Sequence, residues 1–174
     1  MRAPLGGCNV CGVTDIAEDG QRLPIGDWLV SWHPPPDPPD GIPHGAEGVC
    51  VTPDGDVVLI SPDGELWDLP AGRPEPGETW EDTLRREMLE EACATVVAAR
   101  LLGFVRGECV AGPERARILV RSIWRADVEL GPWRPLHEIP HRRVVGPADV
   151  EGTLGGHPFL PFIRRELVEA AVSR

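Results

Sequence analysis

Apolar residues in this chain follow two rhythms. Trp80, Leu84 and Met88 recur every four positions with charged residues between them, the stripe of a helix that buries one face. Elsewhere apolar residues gather in short runs bounded by Pro, Gly and Asp, the mark of strands and tight turns. Residues 48–52 and 56–60 read as two strands joined by the turn Pro53-Asp54-Gly55. Residues 65–69 read as a third, after a turn at 61–64. Residues 27–33 predict an earlier strand, 96–110 one or two more, and 117–128 a long one rich in Val and Ile. Residues 34–43 are Pro-rich and predict an extended linker, while 140–156 read as loop. Residues 158–172 predict a closing amphipathic helix, with Phe162, Leu167, Ala170 and Ala171 on its apolar side. Strands around two helices predict an α/β protein, an α/β/α sandwich.

The first helix carries an electrostatic cost. Thr79 suits its N-cap, Asp82 resembles the far half of a capping box, and Glu81 and Asp82 suit the positive N-terminal end. Glu87, Glu90 and Glu91 then crowd one face at i, i+3 and i+4. Like charges so spaced repel by roughly 0.2–0.5 kcal/mol per pair. The helix dipole disfavours anions near the C-terminal end by a further ~0.3–1 kcal/mol each. A solvated acidic face is one reading. A site for a hard divalent cation, with oxygen ligands that also bridge to phosphate, is the other.

The wider spacing favours the second. Residues 72–94 resemble the Nudix box, Gly-x5-Glu-x7-Arg-Glu-U-x-Glu-Glu-x-Gly-U with U a bulky aliphatic: Gly72, Glu78, Arg86, Glu87, Met88, Glu90 and Glu91 match in type and position. Cys93 stands where the family has Gly, and Ala94 where it has a bulky aliphatic. The run Leu66-Trp67-Asp68-Leu69-Pro70-Ala71-Gly72 is similar to the strand entering a Nudix box. Trp133-Arg134-Pro135-Leu136-His137-Glu138-Ile139-Pro140 is similar to a segment that follows the family's later strands.

The resemblance implies a Nudix-type α/β/α sandwich with a mixed sheet. It implies Glu87, Glu90, Glu91 and the Gly72 carbonyl as ligands of Mg²⁺ or Mn²⁺, with Glu87 and Glu91 catalytic. Glu78 and Arg86 would brace loop against helix, Glu78 also within reach of metal. A base or further ligand from outside the box would be Glu108, Glu114, Asp127 or Glu129.

Composition narrows the partners. The 174 residues carry a formal net charge of -11, which argues against bulk nucleic-acid binding. All basic residues are Arg, so no lysine nucleophile or phosphate clamp is available. No apolar run reaches membrane-spanning length, and the expectation is a cytoplasmic protein. The five Cys do not form a disulfide framework. Cys8 and Cys11 are half of a tetrahedral Zn²⁺ site that Cys50, His33, His44 or a second copy in a homodimer would have to complete. Trp28 and Trp32 are candidates to stack on a nucleobase, and Trp67 is a core candidate. Arg115, Arg117 and Arg121 read as a solvated basic strand edge, and Arg73 as a candidate phosphate contact.

The expected organisation is an N-terminal extension at 1–43 and a Nudix hydrolase domain at 44–174. The expected activity is metal-dependent cleavage of the diphosphate bond in a nucleoside diphosphate linked to another moiety. Leu69-Pro70-Ala71-Gly72 leans toward ADP-ribose or nucleotide sugars. A nucleoside triphosphate pyrophosphatase and a non-catalytic nucleotide-binding protein are the alternatives. Substrate-contacting residues are not identified by the sequence.

Overall fold

A computed structural model of the protein describes residues 22–135, 137–154, 163, 164, 166, 167, 169 and 170. Its strands are β1 (Arg22–Ile25), β2 (Trp28–His33), β3 (Ile42–Val51), β4 (Val57–Ser61), β5 (Ala71–Gly72), β6 (Ala94–Cys109), β7 (Ile118–Leu130) and β8 (His141–Val145). Its helices are α1 (Trp80–Ala92) and α2 (Pro147–Leu154). The strands form one sheet in the order β1-β2-β6-β7-β3-β4-β8, with β5 paired to β3. β3 and β7 run parallel and the remaining pairs antiparallel, so the sheet is mixed.

Alternation along β3 separates two cores, because successive side chains leave a strand on opposite faces. Ala46 and Cys50, with Val58 and Ile60 of β4, meet Leu84, Met88 and Ala92 of α1. Gly48 lets α1 come close: a Cβ there would stand 2.9 Å from Met88 Sδ and 3.0 Å from Leu84 Cδ1. Val49 and Val51 turn the other way, onto Val150 and Leu154 of α2 and onto Ile163, Leu167 and Ala170, which are helical. Helix, sheet and helix stack as the expected α/β/α sandwich. Among the described residues no helix is long and apolar enough to cross a membrane.

The N-terminus of α1 is capped as its sequence predicts. Asp82 N–H donates to Thr79 Oγ1 at 3.1 Å, and Thr79 N–H donates to Asp82 Oδ2 at 3.0 Å. Other segments depart from their patterns. Residues 65–69 form no strand but a single bridge, Ile60 to Asp68. Asp63 Oδ1 draws in the N–H groups of Glu65 and Leu66, each at 2.8 Å, and that local competition bends the chain away from a ladder. Residues 140–156 are not loop but hold β8 and α2. β8 is an edge strand beginning His-Arg-Arg, so it shows no apolar alternation to read. β1 is a four-residue edge strand containing Pro24, and only such an edge tolerates that missing donor.

Candidate active site

The glutamate cluster is built where α1 crosses the end of β5. Pairing of Ala46 with Gly72 and Glu47 with Ala71 fixes β5 against β3. The carboxyl group of Glu87 then lies directly on Gly72: a Cβ at residue 72 would stand 1.8 Å from Glu87 Cδ and Oε1. The Ala71 N–H donates to Glu91 Oε2 at 2.9 Å. Both acids thus meet the backbone of β5, one through space only glycine leaves open and one through an amide.

Arg86 ties the rest together. Its Nε and Nη2 grip Glu78 as a fork, at 2.7 and 3.0 Å. Its Nη1 reaches Glu87 Oε1 at 2.7 Å and Glu90 Oε2 at 3.2 Å, and Nη2 also donates to the Arg73 carbonyl at 2.8 Å. One guanidinium therefore joins the loop of residues 73–79 to the acidic face of the helix. The Arg86 fork holds the Glu78 carboxyl well down, at about 2, with the Glu75 amide next in effect.

Among the described residues no three His, Cys, Asp or Glu side chains converge into a closed metal cage. The geometry gives a physical reason, since Arg86 Nη1 lies between Glu87 and Glu90 and supplies their counter-charge. The donors still suit a hard divalent cation. They are oxygen donors, Glu87, Glu90 and Glu91 on one helix, and the Glu87 carboxylate lies against Gly72. Cys8 and Cys11 of the expected Zn²⁺ half-site lie outside the described residues.

Glu91 sits in the least favourable field. Burial first, then Glu87, Asp68 and Glu138, push its carboxyl up to about 7 against the pull of the Ala71 amide. Asp68 and Glu138 are the acids that reading the sequence missed. Both lie in the segments flanking the box, 66–72 and 133–140, yet only folding sets them near Glu91. Of the proposed outside acids only Glu114 lines a cavity next to Arg73, and each has a local partner or neighbour. Glu108 pairs with Arg106 at 3.1 Å, Asp127 with Arg125 at 3.0 Å, Glu114 with Arg117, and Glu129 faces Thr95 across β6 and β7.

A pH dependence follows. Without divalent cation, Glu91 keeps a proton in the fold up to about pH 7, whereas the ordinary value is 4.5. The folded state therefore binds the extra proton in that window, and stability should fall as pH rises from 4.5 to about 7, then level off. Thermal melts in chelator should show the decline, and Glu91→Gln should flatten it.

The family's glycine position after α1 is filled by Cys93, which adopts the left-handed conformation itself at φ 48°. Its carbonyl accepts the Gly131 N–H at 2.8 Å and its thiol lies 3.4 Å from the Arg134 carbonyl. No basic residue stands in the last turn of α1. Arg142 of β8 supplies the missing charge, donating to the Ala92 carbonyl at 2.7 Å while resting over the Trp133 ring at 4.9 Å. The helix end is thus intact without glycine. Cys93→Gly should relieve the strained φ and raise stability by up to ~1 kcal/mol, read as a higher melting temperature.

A cavity of about 400 Å³ is lined in part by Arg73, the residue after Gly72. Trp28, Val105 and Val120 line it with apolar surface, and Arg73, Arg117, Arg121 and Glu114 with charge, Arg117 pairing with Glu114. Arg121 was expected on a solvated strand edge, but β7 is an interior strand between β6 and β3. Its Nη1 pairs with the buried Glu47 at 2.8 Å. His44 also lines the cavity, its imidazole held below the usual value by burial and then by Arg121, Arg73 and Arg117. Trp28 lines the cavity. Trp32 packs instead over Gly103, where a Cβ would stand 2.4 Å from its ring. Trp67 is half-buried beneath Arg143, whose guanidinium lies 4.1 Å from the ring centre.

A family model described as "NUDIX domain" matches residues 43–160. No curated protein sequence matches the chain. Among solved structures, a mutant of the Bacillus subtilis pyrophosphohydrolase BsRppH is 24% identical, with 67% of this chain and 71% of that one covered and a TM-score of 0.57. The NUDIX hydrolase from Nitrosomonas europaea is 19% identical, with 77% and 90% covered and a TM-score of 0.55. The NUDIX domain of Shewanella oneidensis NrtR, complexed with ADP ribose, is 20% identical, with 78% and 89% covered and a TM-score of 0.53. At these identities the likeness is one of fold.

Proposed function

The chain belongs to the NUDIX domain family, a family of pyrophosphohydrolases, and on that premise we propose that it cleaves the diphosphate bond of a nucleoside diphosphate linked to a second moiety. The observation that carries the reading is the seat of the Glu87 carboxylate on Gly72, with Glu90 and Glu91 on the same helix. Glu87, Glu90, Glu91 and the Gly72 carbonyl would hold a divalent cation, Mg²⁺ or Mn²⁺. Such a cation supplies counter-charge to the phosphates and acidifies water.

The chain's own groups do the remainder. Glu78 fixes Arg86, and Arg86 fixes the Arg73 carbonyl, so the loop beside the scissile bond is held against α1. Glu87 and Glu91 are the proton acceptors. Burial raises the Glu91 carboxyl to about 7 without a cation, and a bound cation would draw it back down and free it as an acceptor. The water oxygen bonds to phosphorus, its proton passes to the carboxylate, and the bridging P–O bond breaks, leaving a nucleoside monophosphate and the phosphate monoester of the second moiety. Arg73 offers charge to the substrate from the cavity side.

The substrate lean is toward ADP-ribose or a nucleotide sugar, supported by Leu69-Pro70-Ala71-Gly72 at the start of the box. The test is a product screen by mass spectrometry with Mg²⁺ and Mn²⁺. ADP-ribose, nucleotide sugars and nucleoside triphosphates are each offered to wild type and Glu91→Gln. Monophosphate release from the linked diphosphates by wild type alone is the expected result. Turnover confined to triphosphates would move the protein to the triphosphate pyrophosphatase reading. Binding without any turnover would make it a nucleotide-binding protein.

A further inference from the structure

Glu90 and Glu91 lie in the last turn of α1, where a helix cannot satisfy its own closing carbonyls. Their charges oppose the helix dipole there. Arg86, one turn earlier, pairs with Glu90, and no basic residue stands in the last turn itself. The offsetting charge comes from 50 positions away, where Arg142 Nη1 donates to the Ala92 carbonyl at 2.7 Å. The Cys93 carbonyl at 3.5 Å and the Gly131 carbonyl at 3.4 Å face the same nitrogen. Three carbonyls thus meet one cationic group beginning at the residue after Glu91.

The register of β8 aims this side chain. Pairing with β4 sets Arg142 opposite Ile60, which packs with Leu84, Met88 and Ala92 on the α1 face of the sheet. Arg143, one residue on, stands opposite Leu59 of the other core and lies over Trp67. Neighbouring arginines of one strand therefore serve opposite layers, and of the two it is Arg142 that touches the helix carrying the acids. Its guanidinium also rests 4.9 Å from the centre of the Trp133 ring. Trp133 opens the segment that brings Glu138 near Glu91. One side chain joins the end of α1, the turn after β7 and that segment.

We propose that Arg142 is a positioning residue for the cation site: it pins the last turn of α1 so that Glu91 stays on the Ala71 amide, with Glu90 beside it. The inference rests on the reading of the glutamate cluster as a divalent-cation site, and it names a residue outside 72–94 that keeps the site in shape. Glu91 Oε2 accepts the Ala71 N–H at 2.9 Å. Ala92 is next in the chain, so a loosened last turn moves Glu91 off that amide first. The sign of the effect separates two roles. As a charge, Arg142 repels a nearby cation, and its removal would tighten binding. As a clamp on the ligands, its removal weakens binding.

The test is Mn²⁺ binding by the full chain without substrate, read as loss of the free-ion electron paramagnetic resonance signal. Arg142→Met keeps the stem over Trp133 and removes the charge and the donors. It should weaken Mn²⁺ at least about tenfold, the scale for partners that orient metal ligands. Arg142→Lys returns a charged donor and should recover most of the loss. Arg143→Met uncovers Trp67 instead and should bind Mn²⁺ as wild type does, whatever stability it loses. Circular dichroism checks that each variant is folded. Should Arg142→Met fail to fold, Arg142→Gln, which retains an amide donor, takes its place with the same expectation. Unchanged or tighter Mn²⁺ binding in Arg142→Met overturns the proposal, as does equal weakening in Arg143→Met. So does an Arg142→Lys that binds no better than Arg142→Met. A wild type that binds no Mn²⁺ sinks the cation reading and this proposal with it. Binding that depends on Arg142 in a protein that hydrolyses nothing would sink the hydrolase reading alone.

Discussion

Glu87→Gln should lower the hydrolysis rate by about 10²–10⁴-fold while the protein stays folded. The side chain keeps its shape, so the cradle at Gly72 remains filled. Its oxygen can still accept from Arg86 Nη1, which now lies 2.7 Å from Glu87 Oε1. Arg86 also keeps its fork to Glu78 and its contact with Glu90. What disappears is one negative charge and one proton acceptor at the centre of the cluster. Initial rates on the substrate found by the product screen, paired with thermal melts, separate the two effects. A rate equal to wild type would remove Glu87 from the mechanism, whatever the melt shows.

Gly72→Ala should do comparable damage by a steric route. The added methyl carbon would stand 1.8 Å from Glu87 Cδ and 2.4 Å from Glu87 Oε2, far inside any allowed contact. Either the carboxylate leaves its seat or β5 leaves β3. Overpacking of this kind costs typically 1–3 kcal/mol, and the carboxylate that must move is one the proposed reaction uses. Activity should fall by at least about a hundredfold, on the general-base scale, together with the melting temperature. A double-mutant cycle locates the cause. In a Glu87→Ala background the clash is gone, so Gly72→Ala should then cost little stability. An equal cost in both backgrounds would mean that the glycine serves the strand and not the acid.

The helix and its acids were readable because their signals are local. Thr79 and Asp82 cap within one turn, and Glu87, Glu90 and Glu91 meet by helical periodicity alone. Gly72 was readable through its spacing to those acids, although the reason for glycine, the carboxylate lying on it, is a contact across 15 positions that only the fold reveals. The failures share one cause. Arg121 looks like surface until β3 and β6 close on either side of it and Glu47 pairs with it across the sheet. Asp68 and Glu138 acquire meaning from the position of Glu91, and no period in the chain links them to it. β8 escaped notice because its arginines serve partners elsewhere: Arg142 caps α1 and Arg143 covers Trp67. A strand whose side chains are chosen for distant partners has no pattern of its own.

The parallel pairing of β3 with β7 also bears on how the protein is made. Glu47 and Arg121 are 74 positions apart. At roughly 5–20 residues per second, β3 leaves the ribosome several seconds before the strand that will lie beside it. During that wait α1 is the shield at hand, since Leu84 and Met88 cover the face of β3 that carries Ala46 and Cys50. The hairpin with Trp28 waits as well, because its own seat, Gly107, lies on β6. A nascent chain stopped between α1 and β7 therefore holds every glutamate of the cluster and no cavity. The last long strand to emerge adds the cavity to a helix that already carries its acids.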